Sequence, residues 1–267
     1  MPNVYLLVIG SDEVFNCVQD NPNVGFTSEL FGVGQTAQKT ISYAASFGNT
    51  TLEKLEKYHV KKQVAEWLTA LDAISVRDRN SGNIIENLTG SKPDYHLDPV
   101  LMYDYIGKCK KIPANVPEKK YLLLYGYSGR FTLEECHAIR TYADQRNLKI
   151  LCIGGVQHCC DKFIDCNPFE VIAYFQHADC VITDTFHGTI LSVITHRNFV
   201  SVVRNSGYGN SEKLTDLLHR LSLSDRILPS FSQIESCLKK SIDYQTTNNI
   251  IVEERQRTRK YLSQFIE

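Results

Sequence analysis

A chain of 267 residues, 43% of them apolar, has material for one large core or two small ones. Its 29 Lys and Arg nearly cancel its 30 Asp and Glu, which excludes a general nucleic-acid binder and leaves any anion to be met by local cations. Nine cysteines, an odd number with no secretory signal, argue against a disulfide framework, and no apolar run reaches the ~18 residues of a membrane span, so a reduced, soluble, cytoplasmic protein is expected.

In chain order, the apolar run Val4 to Ile9 predicts a first strand, with the turn Gly10-Ser11-Asp12-Glu13 at its carboxyl end. Residues 21–38, rich in Asn, Gly and Thr, read as a loop. Thr40 to Ala45 predicts a second strand, ending in Ser46-Phe47-Gly48. The stripe Leu55, Val64, Trp67, Leu68, Leu71 predicts a helix over 52–71. Ile74 to Val76 is a short strand with Arg77-Asp78-Arg79 behind it, and a short helix follows over 81–88. The stretch 108–120 has no apolar period and holds Pro113, Pro117 and a lysine cluster, so it reads as a linker. Beyond it, Tyr121 to Tyr125, Ile150 to Ile153 and Phe199 to Val203 predict strands. Leu133 to Arg146 (capped by Thr132), Pro168 to His177 and Glu212 to Leu221 predict helices. The alternation on both sides predicts an N-terminal lobe 1–107, the linker 108–120, a C-terminal lobe 121–243 and a closing helix 244–267 packed back on the first lobe. The fold class is α/β, two parallel-sheet lobes facing a cleft.

The stretch that carries chemistry runs from Val181 to Ile190. An apolar strand from Ala178 to Ile182 gives way to Thr183-Asp184-Thr185-Phe186-His187-Gly188, and a helical pattern resumes at Ile190. Gly188 would let the backbone approach a ligand, and a helix start at Gly188-Thr189 would offer N–H groups to an anion. The turn lies at a strand's carboxyl end, where open α/β sheets bind ligands. The competing reading is that Asp184 or Thr185 caps the helix and His187 packs in the interior. Among the cysteines, Cys152 and Cys180 fall in strand runs and are expected to be buried thiols. Cys159, Cys160 and Cys166 with His158 lack the second well-formed pair that a zinc site needs.

In these blocks the chain resembles the polysaccharide pyruvyl transferase family. The resemblance rests on Gly10 to Asn16, Ser42 to Gly48, Ser75-Val76-Arg77-Asp78, Leu97-Asp98-Pro99, Thr183 to Gly188, and Lys213 to Leu223 ahead of Asp225-Arg226. It implies a GT-B-like pair of Rossmann-type halves. It also implies transfer of a pyruvyl group from phosphoenolpyruvate to two hydroxyls of a sugar in a surface polysaccharide or its lipid-linked precursor, giving a cyclic ketal. That chemistry needs no metal or redox cofactor. His187 falls on the family's motif histidine and is the acid–base candidate. Two departures stand out. Members often carry Arg where this chain has Thr185, and members usually have a strand and turn upstream of the Gly-Ser-Asp block, so the first lobe reads as shortened or the reading frame as incomplete. With no Arg at 185, the donor's anionic groups fall to Thr185, Gly188, Thr189, Arg204, Lys213 and Arg77. Asp12, Glu13, Asn16 and Ser46 follow strand ends of the first lobe and suit acceptor hydroxyls. Phe15 and Tyr43 are stacking candidates, with core packing favoured for both. Two other functions are carried alongside: a glycosyltransferase using a nucleotide-sugar, against which no nucleotide fingerprint stands out, and a non-catalytic, truncated member of the family.

Overall fold

The computed structural model describes residues 4–18, 26–204 and 211–266. Part of the expected 21–38 loop, and Asn205 to Gly207 behind the strand at Phe199, lie outside the described residues. The chain forms two compact units, Met1–Met102 with Asn249–Glu267, and Tyr103–Asn248.

In the first unit four strands run parallel: β1 (Leu6–Ile9) with β2 (Lys39–Ser42), and β3 (Ser75–Val76) with β4 (Asp94–Tyr95). Bridges Ile41↔Ala73 and Ala45↔Val76 connect the two pairs. The helix expected over 52–71 is two helices, α1 (Leu52–Lys57) and α2 (Lys61–Thr69). Between them His59 adopts φ 58°, a left-handed backbone that no helix continues through. Asp78 caps α3 (Arg79–Thr89) by accepting from the Ser81 N–H, and Gly90 closes it at φ 73°. The short α4 (Pro99–Met102) follows. Phe15, Phe31, Phe47, Leu55, Val64, Leu68 and Ile84 make the core, with Phe15 stacked on Phe31 at 4.8 Å between ring centroids. Burial of each such side chain contributes about 1.5–3 kcal/mol. The C-terminal residues of this unit hold it through Tyr261, whose hydroxyl donates to the Ser42 carbonyl at 2.8 Å, and Arg255, whose Nε donates to the Leu101 carbonyl.

The second unit contains α5 (Tyr105–Lys108), β5 (Tyr121–Tyr125), α6 (Leu133–Asp144), β6 (Lys149–Ile153), β7 (Lys162–Phe163), α7 (Pro168–His177), β8 (Cys180–Thr183), α8 (Phe186–Ile194), β9 (Phe199–Ser201), α9 (Ser211–Arg220) and α10 (Ile234–Lys239). The last helix, α11 (Tyr244–Ser263), passes from this unit into the first at Asn249. The five strands are parallel in the order β7-β6-β5-β8-β9, a Rossmann-type arrangement. Leu122, Leu123 and Leu124 of β5 are fully buried, as a central parallel strand covered on both faces requires. Thr132 and Asn167 start α6 and α7 with full capping boxes. The lysine-rich stretch 108–120 clusters with this unit. Its Glu118 holds Lys162 at 2.6 Å and Lys149 at 3.9 Å, and the chain changes unit ahead of it, between Met102 and Tyr103. Among the described residues no helix is long and apolar enough to cross a membrane.

Candidate functional site

Strand order in the second unit reverses between β5 and β8. The crevice outside the carboxyl ends of such a strand pair is where doubly wound sheets place ligands. Two segments meet there. Behind β5 runs Gly126-Tyr127-Ser128-Gly129-Arg130, and behind β8 stands Asp184. Arg130 Nε donates to Asp184 Oδ2 at 2.8 Å across the switch point. From behind β9, Arg204 Nε reaches the same oxygen at 3.4 Å, while its other nitrogens donate to Glu135 of α6 and to the Arg130 carbonyl. Two guanidiniums thus face two carboxylates, and the Asp184 side chain is fully buried at the centre. Burial would lower the Arg204 pKa, but its hydrogen bond to Glu135 and the Glu135 and Asp184 charges outweigh that and raise it. Asp184 Oδ1 is buried with no hydrogen-bond partner among the described residues.

Helix α8 starts earlier than its apolar pattern predicts. Thr185 is the N-cap, accepting from the Gly188 N–H at 2.9 Å, and Phe186 and His187 are already the first two helical residues. The anion site expected on the Gly188 and Thr189 amides is therefore corrected: the Gly188 N–H is taken by Thr185 Oγ1, and the Thr189 N–H by the Thr185 carbonyl at 3.2 Å. Gly188 serves packing, since a Cβ there would lie 2.2 Å from Thr183 Oγ1 and 2.7 Å from Tyr125 Cδ1. The Thr189 hydroxyl is interior, bonded to the Thr185 carbonyl and to Ser201 Oγ. Thr185, assigned to the donor, acts as the cap that the competing reading describes. His187 does not share that burial: it sits half-buried in the first turn of α8. Lys213 of α9 is buried beside the same turn, with Nζ 5.8 Å from the Phe186 ring centroid.

The remaining predicted residues lie in the first unit. Arg77, assigned to the donor, is buried there and pairs with Asp12 and Asp98. Ser11 Oγ also donates to Asp98. Asn16 is interior: its amide nitrogen donates to Glu13 and Asn49, and its oxygen accepts from the Val18 N–H and the Thr50 hydroxyl. Ser46 is fully buried and accepts from the Gly48 N–H. Direct sugar contact by Asn16 or Ser46 is thus corrected, because these polar groups brace the loops behind β1 and β2. Asp12 and Glu13 keep contact with solvent. Phe15 and Tyr43 belong to the core. Among the described residues no group of three or more His, Cys, Asp or Glu is placed to hold a metal ion.

Arg130, Glu135 and the structural role of Asp184 escape a reading of the sequence. A signal exists for Arg130: it ends a glycine-containing turn directly behind the first strand of its unit, on the ligand side of the sheet. Glu135 lies inside the helix expected over Leu133 to Arg146; its side chain closes the Thr132 capping box while its other oxygen meets Arg204.

A family model described as polysaccharide pyruvyl transferase matches residues 2–206. No curated protein matches the chain. Among solved structures, a mutant Thermobaculum terrenum O-GlcNAc transferase is 12% identical with a TM-score of 0.42, covering 84% of this chain, which spans only 44% of that one. The glycotransferase of kitacinnamycin is 9% identical with a TM-score of 0.47, over 85% of this chain and 70% of that one. Phytolacca americana UGT2, complexed with UDP-2fluoro-glucose and pterostilbene, is 12% identical with a TM-score of 0.40, over 86% and 72%.

Proposed function

The chain belongs to the polysaccharide pyruvyl transferase family, and from that premise we propose that it moves the pyruvyl group of phosphoenolpyruvate onto two hydroxyls of a sugar, in a surface polysaccharide or its lipid-linked precursor. The observation that carries this reading is His187. It is the motif histidine, partly exposed in the first turn of α8, directly behind the strand that borders the switch point. Protonation of the donor's methylene carbon by the imidazole makes the adjacent carbon electrophilic. The first sugar hydroxyl attacks that carbon and returns its proton to the imidazole. The C–O bond to phosphate then breaks as the second hydroxyl closes the ring, and the second proton leaves with phosphate. The products are the carboxyethylidene ketal and inorganic phosphate, with no change of oxidation state.

The donor's carboxylate and phosphate need cations. Arg204, Lys213 and Arg130 are the basic residues around His187 and the switch point that support this role, and guanidinium groups bind both anions in bidentate fashion. Arg130 is our substitute for the arginine that Thr185 replaces. The Arg204 and Arg130 charges are balanced internally by Glu135 and Asp184, so donor binding must compete with Glu135, the most exposed of the four.

A thermal-shift series with phosphoenolpyruvate, UDP-glucose and buffer tests the reading, because a ligand that binds only the folded state raises the melting temperature. A shift with phosphoenolpyruvate alone, with phosphate released once a sugar is added, is expected. A shift with UDP-glucose alone would replace the reading with glycosyl transfer, and no shift with either would point to a non-catalytic member of the family.

A further inference from the structure

The loops behind β5 and β6 are sewn together by hydrogen bonds. The Gly129 N–H donates to the Val156 carbonyl at 3.1 Å, the Val156 N–H to Ser128 Oγ, Gln157 Nε2 to the Tyr127 carbonyl at 2.7 Å, and the Phe131 N–H to Gln157 Oε1. Gly155 allows the closest approach, since a Cβ there would stand 2.0 Å from the Ser128 nitrogen. Such cross-linking fixes the backbone on both sides of Tyr127. Yet Tyr127 itself is 64% exposed, and Val156 across from it is 53% exposed. A rigid loop pair at the ligand edge of the sheet thus presents an aromatic ring and an aliphatic group to solvent.

We propose that Tyr127, backed by Val156, is the platform on which a pyranose ring of the acceptor stacks. The face of an aromatic ring is electron-rich and meets the C–H bonds of a sugar, whose hydroxyl oxygens polarise them. Continuity with the charged cluster supports this occupant: the Arg130 guanidinium lies over one face of the Tyr127 ring, 5.7 Å from its centroid, and is bonded to Asp184 at the switch point. A pyranose stacked on the opposite face is one aromatic ring away from the residues assigned to the donor. One tyrosine and one valine match a single sugar ring, whereas a stable protein partner buries about 800 Å² on each side. Preorganisation of the loops removes the ordering cost that a mobile aromatic would bring to binding. The inference rests on the pyruvyl-transfer reading for the ligand class, since that reaction requires a sugar.

The test measures sugar binding directly. Saturation-transfer difference NMR is recorded for the full chain, for Tyr127→Phe and for Tyr127→Ala, with the methyl glycosides of glucose, galactose, mannose and N-acetylglucosamine as probes. The same three proteins are then melted with and without phosphoenolpyruvate. Saturation is expected to reach the ring C–H protons of at least one glycoside in wild type and in Tyr127→Phe, and to fall at least fivefold in Tyr127→Ala, with the phosphoenolpyruvate shift the same in all three. No transfer to any glycoside in wild type, or full transfer in Tyr127→Ala, overturns the platform. Loss of the phosphoenolpyruvate shift from all three would strike the donor reading instead, and the glycoside result would still decide the platform.

Discussion

Replacing Asp184 by Asn is the sharpest perturbation of the cluster, because it keeps size and shape while removing one charge. The Asp184 side chain is fully buried and its Oδ2 accepts from both Arg130 and Arg204, whose side chains are only 11% and 13% exposed. Removing one partner of a buried ion pair costs about 3–5 kcal/mol, mostly because the other charge stays desolvated. Arg204 retains Glu135, and Arg130 has a rim of solvent, so the lower figure of about 3 kcal/mol applies. For a chain of this size about 1 kcal/mol moves the melting temperature by about 2–4 °C, so a fall of about 6–12 °C is expected. Differential scanning calorimetry on wild type, Asp184→Asn, Arg130→Gln and the double variant measures both the loss and the coupling. A coupling of about 1–3 kcal/mol between the two positions is expected for groups in direct contact. A melting temperature for Asp184→Asn equal to wild type, or strict additivity with Arg130→Gln, would refute the view that this pair anchors the switch point.

Three more outcomes follow from the same geometry. His187→Gln should lower phosphate release about a hundred- to ten-thousand-fold while keeping the melting temperature within a few degrees; retained activity in a folded protein would remove the acid–base role. Gly188→Ala should destabilise by about 1–3 kcal/mol, the cost of overpacking, because its methyl would meet Thr183 Oγ1, Thr185 Oγ1 and Tyr125; an unchanged denaturation midpoint would contradict that packing. Burial pushes the Cys159 and Cys180 thiols up from 9.0 to about 12. The unfolded chain sheds these protons first as pH rises, so the folded state binds more of them and loses stability progressively between pH 9 and about 12. Urea melts at pH 8 and pH 10.5 check the sign: the midpoint should fall at the higher pH, and fall less in the single variants Cys159→Ala and Cys180→Ala.

The sequence by itself determined the local elements wherever a strong pattern met a clear cap. Tyr121–Tyr125 and Pro168–His177 stand where their apolar runs and first-turn signals put them, and Thr132 caps α6 as expected. The α/β class with parallel sheets follows from the alternation of such elements. Where pattern and conformation part, the cause is local backbone or complete burial. His59 breaks one apolar stripe into two helices because a left-handed residue cannot continue either. Helix α8 starts at Thr185, one of the two caps the competing reading named; the apolar pattern alone puts the start later because Phe186, Gly188, Thr189, Ile190 and Ser192 are all buried and give no amphipathic period. Only the tertiary structure decided the partners: Arg77 with Asp12 and Asp98, Asn16 with Glu13, Asn49 and Thr50, and Arg130 and Arg204 with Asp184. Charge pairing is set by distance in space, and strand order brings Arg130 and Asp184 to 2.8 Å across 54 positions of chain, a proximity that no spacing along the sequence encodes.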